Sequence, residues 1–118
     1  MKESGEMYLE TILVLSKKTD VVRSIDVAHE RGYSKPSVSR GLGILRDEGH
    51  IVFDNNGHIT LTDSGRAIAE KIYERHNVLT EVLKEFGIDE ETATEDACRI
   101  EHVISDTSFN IIKNRIKK

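Results

Sequence analysis

Two short β-prone runs, Ile51-Val52-Phe53 and His58-Ile59-Thr60-Leu61, bracket the tetrapeptide Asp54-Asn55-Asn56-Gly57, and three helix-period segments lead directly into them. That order constrains the fold more than any other feature of the chain. Asn56-Gly57 offers the positive-φ residues that a tight reversal needs, which predicts a β-hairpin. Ahead of it, residues 3–18 carry Tyr8, Leu9, Ile12, Leu13 and Leu15 on one broad stripe, predicting a first helix. A second helix is expected from about Arg23 to Arg31, with Ile25, Val27 and Ala28 apolar and Gly32 as its stop. The third starts behind Ser34 as N-cap and tolerates Pro36 only in its first turn, where the missing N–H costs nothing. It continues through Val38, Leu42 and Leu45 and ends at Gly49. Helix, helix, turn, helix and two-stranded wing is the order of a winged helix-turn-helix.

The rest of the chain predicts helices only. One runs from about Ser64 to Phe86 with Ile68, Ile72, Leu79, Leu83 and Phe86 apolar, and Gly87 ends it. Asp89 caps the next, whose first turn holds Glu90 and Glu91 against the positive end of the helix dipole. Asp106 is expected to cap a last helix that aligns Phe109, Ile112 and Ile116. The fold class is therefore mainly α: a winged helix-turn-helix lobe over 1–63, then a helical lobe over 64–118. The second lobe carries more apolar surface than it can bury alone, which predicts a homodimer through the C-terminal helices.

The net charge of −4 is unevenly spread: −1 over residues 1–20, zero over 21–71 and −3 over 72–118. Lys35, Arg40 and Arg46 follow one another with no acid from Ser34 to Arg46, so the neutral middle still carries a basic patch suited to phosphates. The single cysteine, Cys98, excludes an internal disulfide and suits a reducing cytoplasm. The opening MKESGEMYLE has no apolar core, so no secretory signal is expected. No apolar run approaches the ~20 residues of a membrane-spanning helix.

Two groups of residues carry chemistry. The start of the third helix offers Ser34, Lys35, Ser37, Ser39 and Arg40 beside the rigid Pro36. Hydroxyls and free N–H groups at a helix start bind phosphate oxygens, Pro36 can press on a thymine methyl, and Arg40 can reach guanine edges. A well-capped, solvated helix would carry similar residues. The wing that follows gives them a joint use in gripping double-stranded DNA.

The second group is Asp96-Ala97-Cys98-Arg99-Ile100-Glu101-His102. Read as a continuous helix, it brings thiolate, carboxylate and imidazole to one face, a mixed donor set suited to first-row divalent ions. Met7 and Glu10 lie one turn apart on the first helix. Singly, several of these residues have an ordinary structural reading. Met7 suits a core gap-filler, Cys98 a small buried apolar residue, and His76, between Ile72 and Leu79, a satisfied core histidine. His29, His50 and His58 read as surface or wing residues. An enzyme using Cys98 as nucleophile and His102 as base is not expected, because no third orienting group, anion hole or Gly-rich loop accompanies them.

GEMYLETILVL, SKPSVSRGLGILRDEG, LTDSGR, ERHNVL and EDACRIEHVIS, in this order over essentially the whole chain, resemble the diphtheria toxin repressor family of iron- and manganese-dependent regulators. The resemblance implies a dimeric repressor that binds operator DNA when loaded with a divalent transition metal and controls metal homeostasis genes. It implies Met7, Cys98, Glu101 and His102 as metal ligands, and Ser34, Pro36, Ser37, Ser39 and Arg40 as DNA contacts. Glu10 and His76 match ligands of the manganese-type members, which carry acids in the places of Met7 and Cys98. Thr80 and Thr94 stand where iron-type members place two ligands of an ancillary site, so that second site is not expected. Iron-type members also carry an SH3-like C-terminal domain, and the 118 residues here follow the short manganese-regulator plan. Soft Met7 and Cys98 favour Fe²⁺ over Mn²⁺ as the cellular metal, with Co²⁺ or Ni²⁺ binding in vitro. A metal-independent winged-helix regulator answering to an organic effector is the competing expectation.

Overall fold

The apolar stripe of the first segment becomes the axis of the N-terminal elements. In the computed structural model, which describes residues 2–116, α1 (Glu3–Ser16) buries Leu9, Ile12 and Leu13 against α2 (Ser24–Arg31) and α3 (Lys35–Asp47). Val27, Val38, Leu42 and Leu45 complete that core. Gly32 leaves α2 at φ +69°, and the Tyr33 N–H donates to the Ala28 carbonyl at 3.1 Å, a closure that only glycine adopts without strain. Ser34 caps α3, its hydroxyl oxygen accepting from the Ser37 N–H at 3.3 Å. Where α1 crosses α3, a Cβ on Gly41 would lie 2.3 Å from the Tyr8 ring, so the crossing requires glycine.

The wing pairs β1 (Ile51–Phe53) with β2 (Ile59–Leu61) antiparallel, with Ile51 opposite Leu61 and Phe53 opposite Ile59. Ile51, Ile59 and Leu61 face the core while Val52 and Thr60 face out, the alternation of a half-buried hairpin. The Ile59 N–H donates to the Val22 carbonyl at 2.7 Å and ties the wing to the segment before α2. One expectation is corrected. Gly57 alone has positive φ (+77°), and Asn56 does not. The Asp54 carboxylate accepts from the N–H groups of Asn56 at 2.8 Å and His58 at 2.9 Å, which sets the turn without a left-handed asparagine.

α4 (Asp63–Glu85), α5 (Glu90–Ile100) and α6 (Asp106–Ile116) follow. The chain divides into two compact units, Met1–Glu70 and Lys71–Lys118, so α4 contributes to both. In the second unit Ile72, Leu79, Ala93, Ala97 and Phe109 are buried. Asp89 caps α5, accepting from the Thr92 N–H at 3.0 Å. Asp106 does not cap α6. The Ser105 hydroxyl accepts from the Ser108 N–H at 3.1 Å instead, and the Asp106 carboxylate turns to Arg75 and Lys71. No helix of the described residues is long and apolar enough to cross a membrane.

Candidate metal centre and DNA-reading helix

The second unit gathers donors from two helices. His76 on α4, Cys98 on α5 and Glu101 at the C-cap of α5 each offer one ligand atom, and these atoms lie within 4.8 Å of one another. His76 Nδ1 is 2.8 Å from Glu101 Oε1, and His102 Nε2 is 3.5 Å from Glu101 Oε2. Thr80 donates its hydroxyl to the His76 carbonyl at 2.7 Å, so this side chain serves its own helix. Thr94 is exposed on α5.

Glu101 is the decisive residue. It is 0% exposed, and its Oε2 accepts no hydrogen bond among the described residues. A carboxylate oxygen buried without a donor is costly, and a bound cation is the usual remedy. The set of imidazole, thiol and carboxylate therefore fits a divalent transition metal. The reading of one continuous helix through His102 is corrected. α5 closes at Ile100, Glu101 forms its cap, and His102 lies in the turn that follows, with its side chain buried.

What ends α5 there is a residue that sequence reasoning passed over. Arg75 is buried on α4, where its guanidinium donates to the carbonyls of Glu101 at 3.2 Å and Ile104 at 2.7 Å, and to the Asp106 carboxylate. It also lies 5.4 Å from the centre of the Phe109 ring. At the Glu101 carbonyl this cation satisfies an acceptor left open by the helix end and complements the helix dipole, and at Ile104 it holds the turn beyond. The signal was present in the sequence: Arg75 falls in the apolar register of Ile72 and Leu79, where an unpaired cation cannot stay.

In the first unit, Met7 and Glu10 lie on α1, Met7 half-buried and Glu10 buried. Arg31 Nη2 stands 3.5 Å from Glu10 Oε1, and the Tyr33 hydroxyl donates to Met7 Sδ at 3.0 Å. At the start of α3, Ser34, Lys35, Pro36, Ser39 and Arg40 are exposed, and Ser37 is half-buried. Ser34 also donates its hydroxyl to Ser37 Oγ at 2.9 Å, so these two side chains serve the cap as well as any ligand. His50 and His58 have local partners: Ser64 Oγ at 2.9 Å for the first, Arg23 Nη2 at 3.0 Å and Asp54 Oδ2 at 3.2 Å for the second.

Residues 1–59 match the family model of the iron-dependent repressor N-terminal DNA-binding domain, and residues 62–118 match that of the iron-dependent repressor metal-binding and dimerisation domain. The chain belongs to the iron-dependent repressor family. It is 32% identical over 120 residues to an uncharacterized HTH-type transcriptional regulator of Methanocaldococcus jannaschii, covering all of this chain and 96% of that one. To the diphtheria toxin repressor of Corynebacterium diphtheriae it is 29% identical over 105 residues, 88% of this chain and 46% of that protein. A solved manganese-dependent transcriptional repressor in complex with manganese superposes with a TM-score of 0.85 at 28% identity, over 96% of this chain and 52% of that one. The chain thus spans about half the length of the diphtheria toxin repressor and of that solved structure. Family members of this kind are metal-dependent transcriptional regulators, not enzymes, and the organic-effector reading is set aside.

Proposed function

We propose that this regulator binds operator DNA through the start of α3 and is activated by Fe²⁺, with Mn²⁺ the weaker signal. Residues 1–63 then serve DNA binding and residues 64–118 metal binding and dimerisation, in the cytoplasm. The observation that carries the metal reading is the buried Glu101 carboxylate beside His76 and Cys98, one of its oxygens lacking a hydrogen-bond donor among the described residues. The proposed ligands are Met7, Glu10, His76, Cys98, Glu101 and His102. Two of them are sulfur donors, which favour Fe²⁺ over the harder Mn²⁺.

When bound, the metal supplies a directional, doubly positive centre that joins side chains the protein otherwise holds through weaker contacts. Arg75 orients the Glu101 backbone, and His76 orients the Glu101 carboxylate. Lys35 and Arg40 present charge to the duplex, while Ser34, Pro36, Ser37 and Ser39 set the fit of α3 to phosphates and base edges. Met7 and Glu10 belong to the DNA-binding half, and the other ligands belong to the dimerisation half. Metal binding then narrows the range of DNA-incompetent conformers, which raises apparent operator affinity. Exposed Phe86 (78%), Val103 (76%) and Ile111 (57%) supply apolar surface for the homodimer.

An anaerobic titration with Fe²⁺ and with Mn²⁺, read by metal affinity and by DNA binding, tests the assignment. Stronger activation by Fe²⁺ supports it. Stronger activation by Mn²⁺ reverses the metal and leaves the regulator reading intact.

A further inference from the structure

We propose that Tyr33 is a positioning residue for Met7, and that the turn it occupies carries metal occupancy to the start of the DNA-reading helix. The inference rests on the reading of Met7 as a metal ligand. The Tyr33 hydroxyl donates to Met7 Sδ at 3.0 Å, across 26 residues of sequence. Tyr33 is 40% exposed, so water can satisfy its hydroxyl. Its ring already meets Tyr8 edge-on at 6.0 Å, a contact that phenylalanine makes equally well. Packing therefore accounts for the ring and leaves the hydroxyl to be explained by the sulfur it touches.

A thioether sulfur has two lone pairs. One accepts from Tyr33, and the other remains open to a metal. Methionine has three rotatable bonds, and the hydrogen bond holds the sulfur against that freedom before any ion arrives. Outer partners that orient a ligand in this way commonly strengthen metal binding.

The same turn holds the other α1 ligand. Two residues before Tyr33, Arg31 Nε donates to Thr11 Oγ1 at 2.7 Å, and its Nη2 lies 3.5 Å from Glu10 Oε1. Thr11 in turn donates to the Met7 carbonyl at 2.8 Å. Between Arg31 and Tyr33 stands Gly32 in the left-handed region, and Ser34, the cap of α3, comes next. Four consecutive residues thus join both α1 ligands to the first residue that meets DNA. Metal that fixes Met7 also fixes this turn.

A double-mutant cycle on the full chain tests this, with Co²⁺ as the probe and its visible absorption as the readout. Tyr33→Phe is expected to weaken Co²⁺ binding about tenfold, the low end for loss of an outer partner, and to displace the absorption bands. Metal-free thermal unfolding should be unchanged, because the ring contact with Tyr8 persists. In the Met7→Leu background, Tyr33→Phe should have no further effect. Unchanged or tighter Co²⁺ binding by Tyr33→Phe, alongside weakened binding by Met7→Leu, overturns the role of Tyr33 alone. So does full additivity of the two substitutions. Unchanged binding by Met7→Leu overturns the ligand assignment itself, and the role of Tyr33 with it.

Discussion

Glu101→Gln separates a residue kept for folding from one kept for a ligand. In the metal-free protein, glutamine retains an oxygen for His76 Nδ1, now 2.8 Å from Oε1, and places an amide where Oε2 has no donor. It also removes the need to bury a carboxylate. An unsatisfied buried acceptor costs about 1–3 kcal/mol, so the metal-free variant should gain about 1 kcal/mol over wild type. Metal reverses the ranking. At one hundred times its Kd, an ion bound only by the folded state adds about 2.7 kcal/mol. At about 4 °C per kcal/mol for a chain of this size, that is roughly a 10 °C rise in midpoint. Wild type should show this rise with Fe²⁺ or Co²⁺, and Glu101→Gln should show less than about a fifth of it. Calorimetric scans of both proteins, with metal and with chelator, give all four numbers. A metal-free Glu101→Gln protein that is less stable than wild type by more than about 1 kcal/mol would make Glu101 a structural residue and refute the reasoning.

Arg75→Leu should cost the second unit about 3 kcal/mol, because the buried Glu101 carbonyl and the half-buried Ile104 carbonyl lose a charged donor; urea unfolding followed by helical circular dichroism checks this, and a loss below about 1 kcal/mol contradicts it. Arg40→Ala should abolish selective DNA binding while leaving metal affinity unchanged, and Lys35→Ala should weaken binding to every sequence and lower the salt slope by about one. Competition titrations at several salt concentrations distinguish these two outcomes, and equal losses on all sequences for Arg40→Ala would remove it from base contact. Hydrogen bonding and charge from Lys71, then Arg75, hold the Asp106 carboxyl below its usual range. Its stabilising contribution is thus present above the ordinary aspartate value and lost as pH falls through the depressed one. Asp106→Asn should flatten the acid end of the stability profile, and an unchanged acid limb would exclude that contribution.

Elements that rest on local rules are legible from the residues alone. Gly32, Gly49, Gly57 and Gly87 all take positive φ at ends the sequence marks, and Ser34 and Asp89 cap the helices they precede. Features decided by distant partners are not. Cys98 through His102 contains nothing that stops a helix, and α5 ends where Arg75, 26 residues before Glu101, takes the Glu101 carbonyl. Asp106 has the side chain of a good cap, yet Arg75 and Lys71 draw its carboxylate away and leave the role to Ser105. In the metal group, spacing picks out Cys98, Glu101 and His102, of which Cys98 lies in the last turn of α5 and Glu101 at its cap. It leaves His76 balanced between core and ligand, because only packing of α4 on α5 brings His76 Nδ1 to the Glu101 carboxylate. The hydrogen bond from Tyr33 to Met7 leaves no trace in any periodicity.

Operator binding with and without metal tests the central claim most directly. DNA selected from random sequence by the Fe²⁺-loaded protein serves as the operator, and fluorescence anisotropy at fixed salt gives the affinity under anaerobic conditions. Protein dialysed against chelator should bind that DNA at least about tenfold more weakly, a coupling of about 1.4 kcal/mol, and readdition of Fe²⁺ should restore the affinity. Equal affinity in the chelated and reloaded protein would contradict a metal-switched regulator.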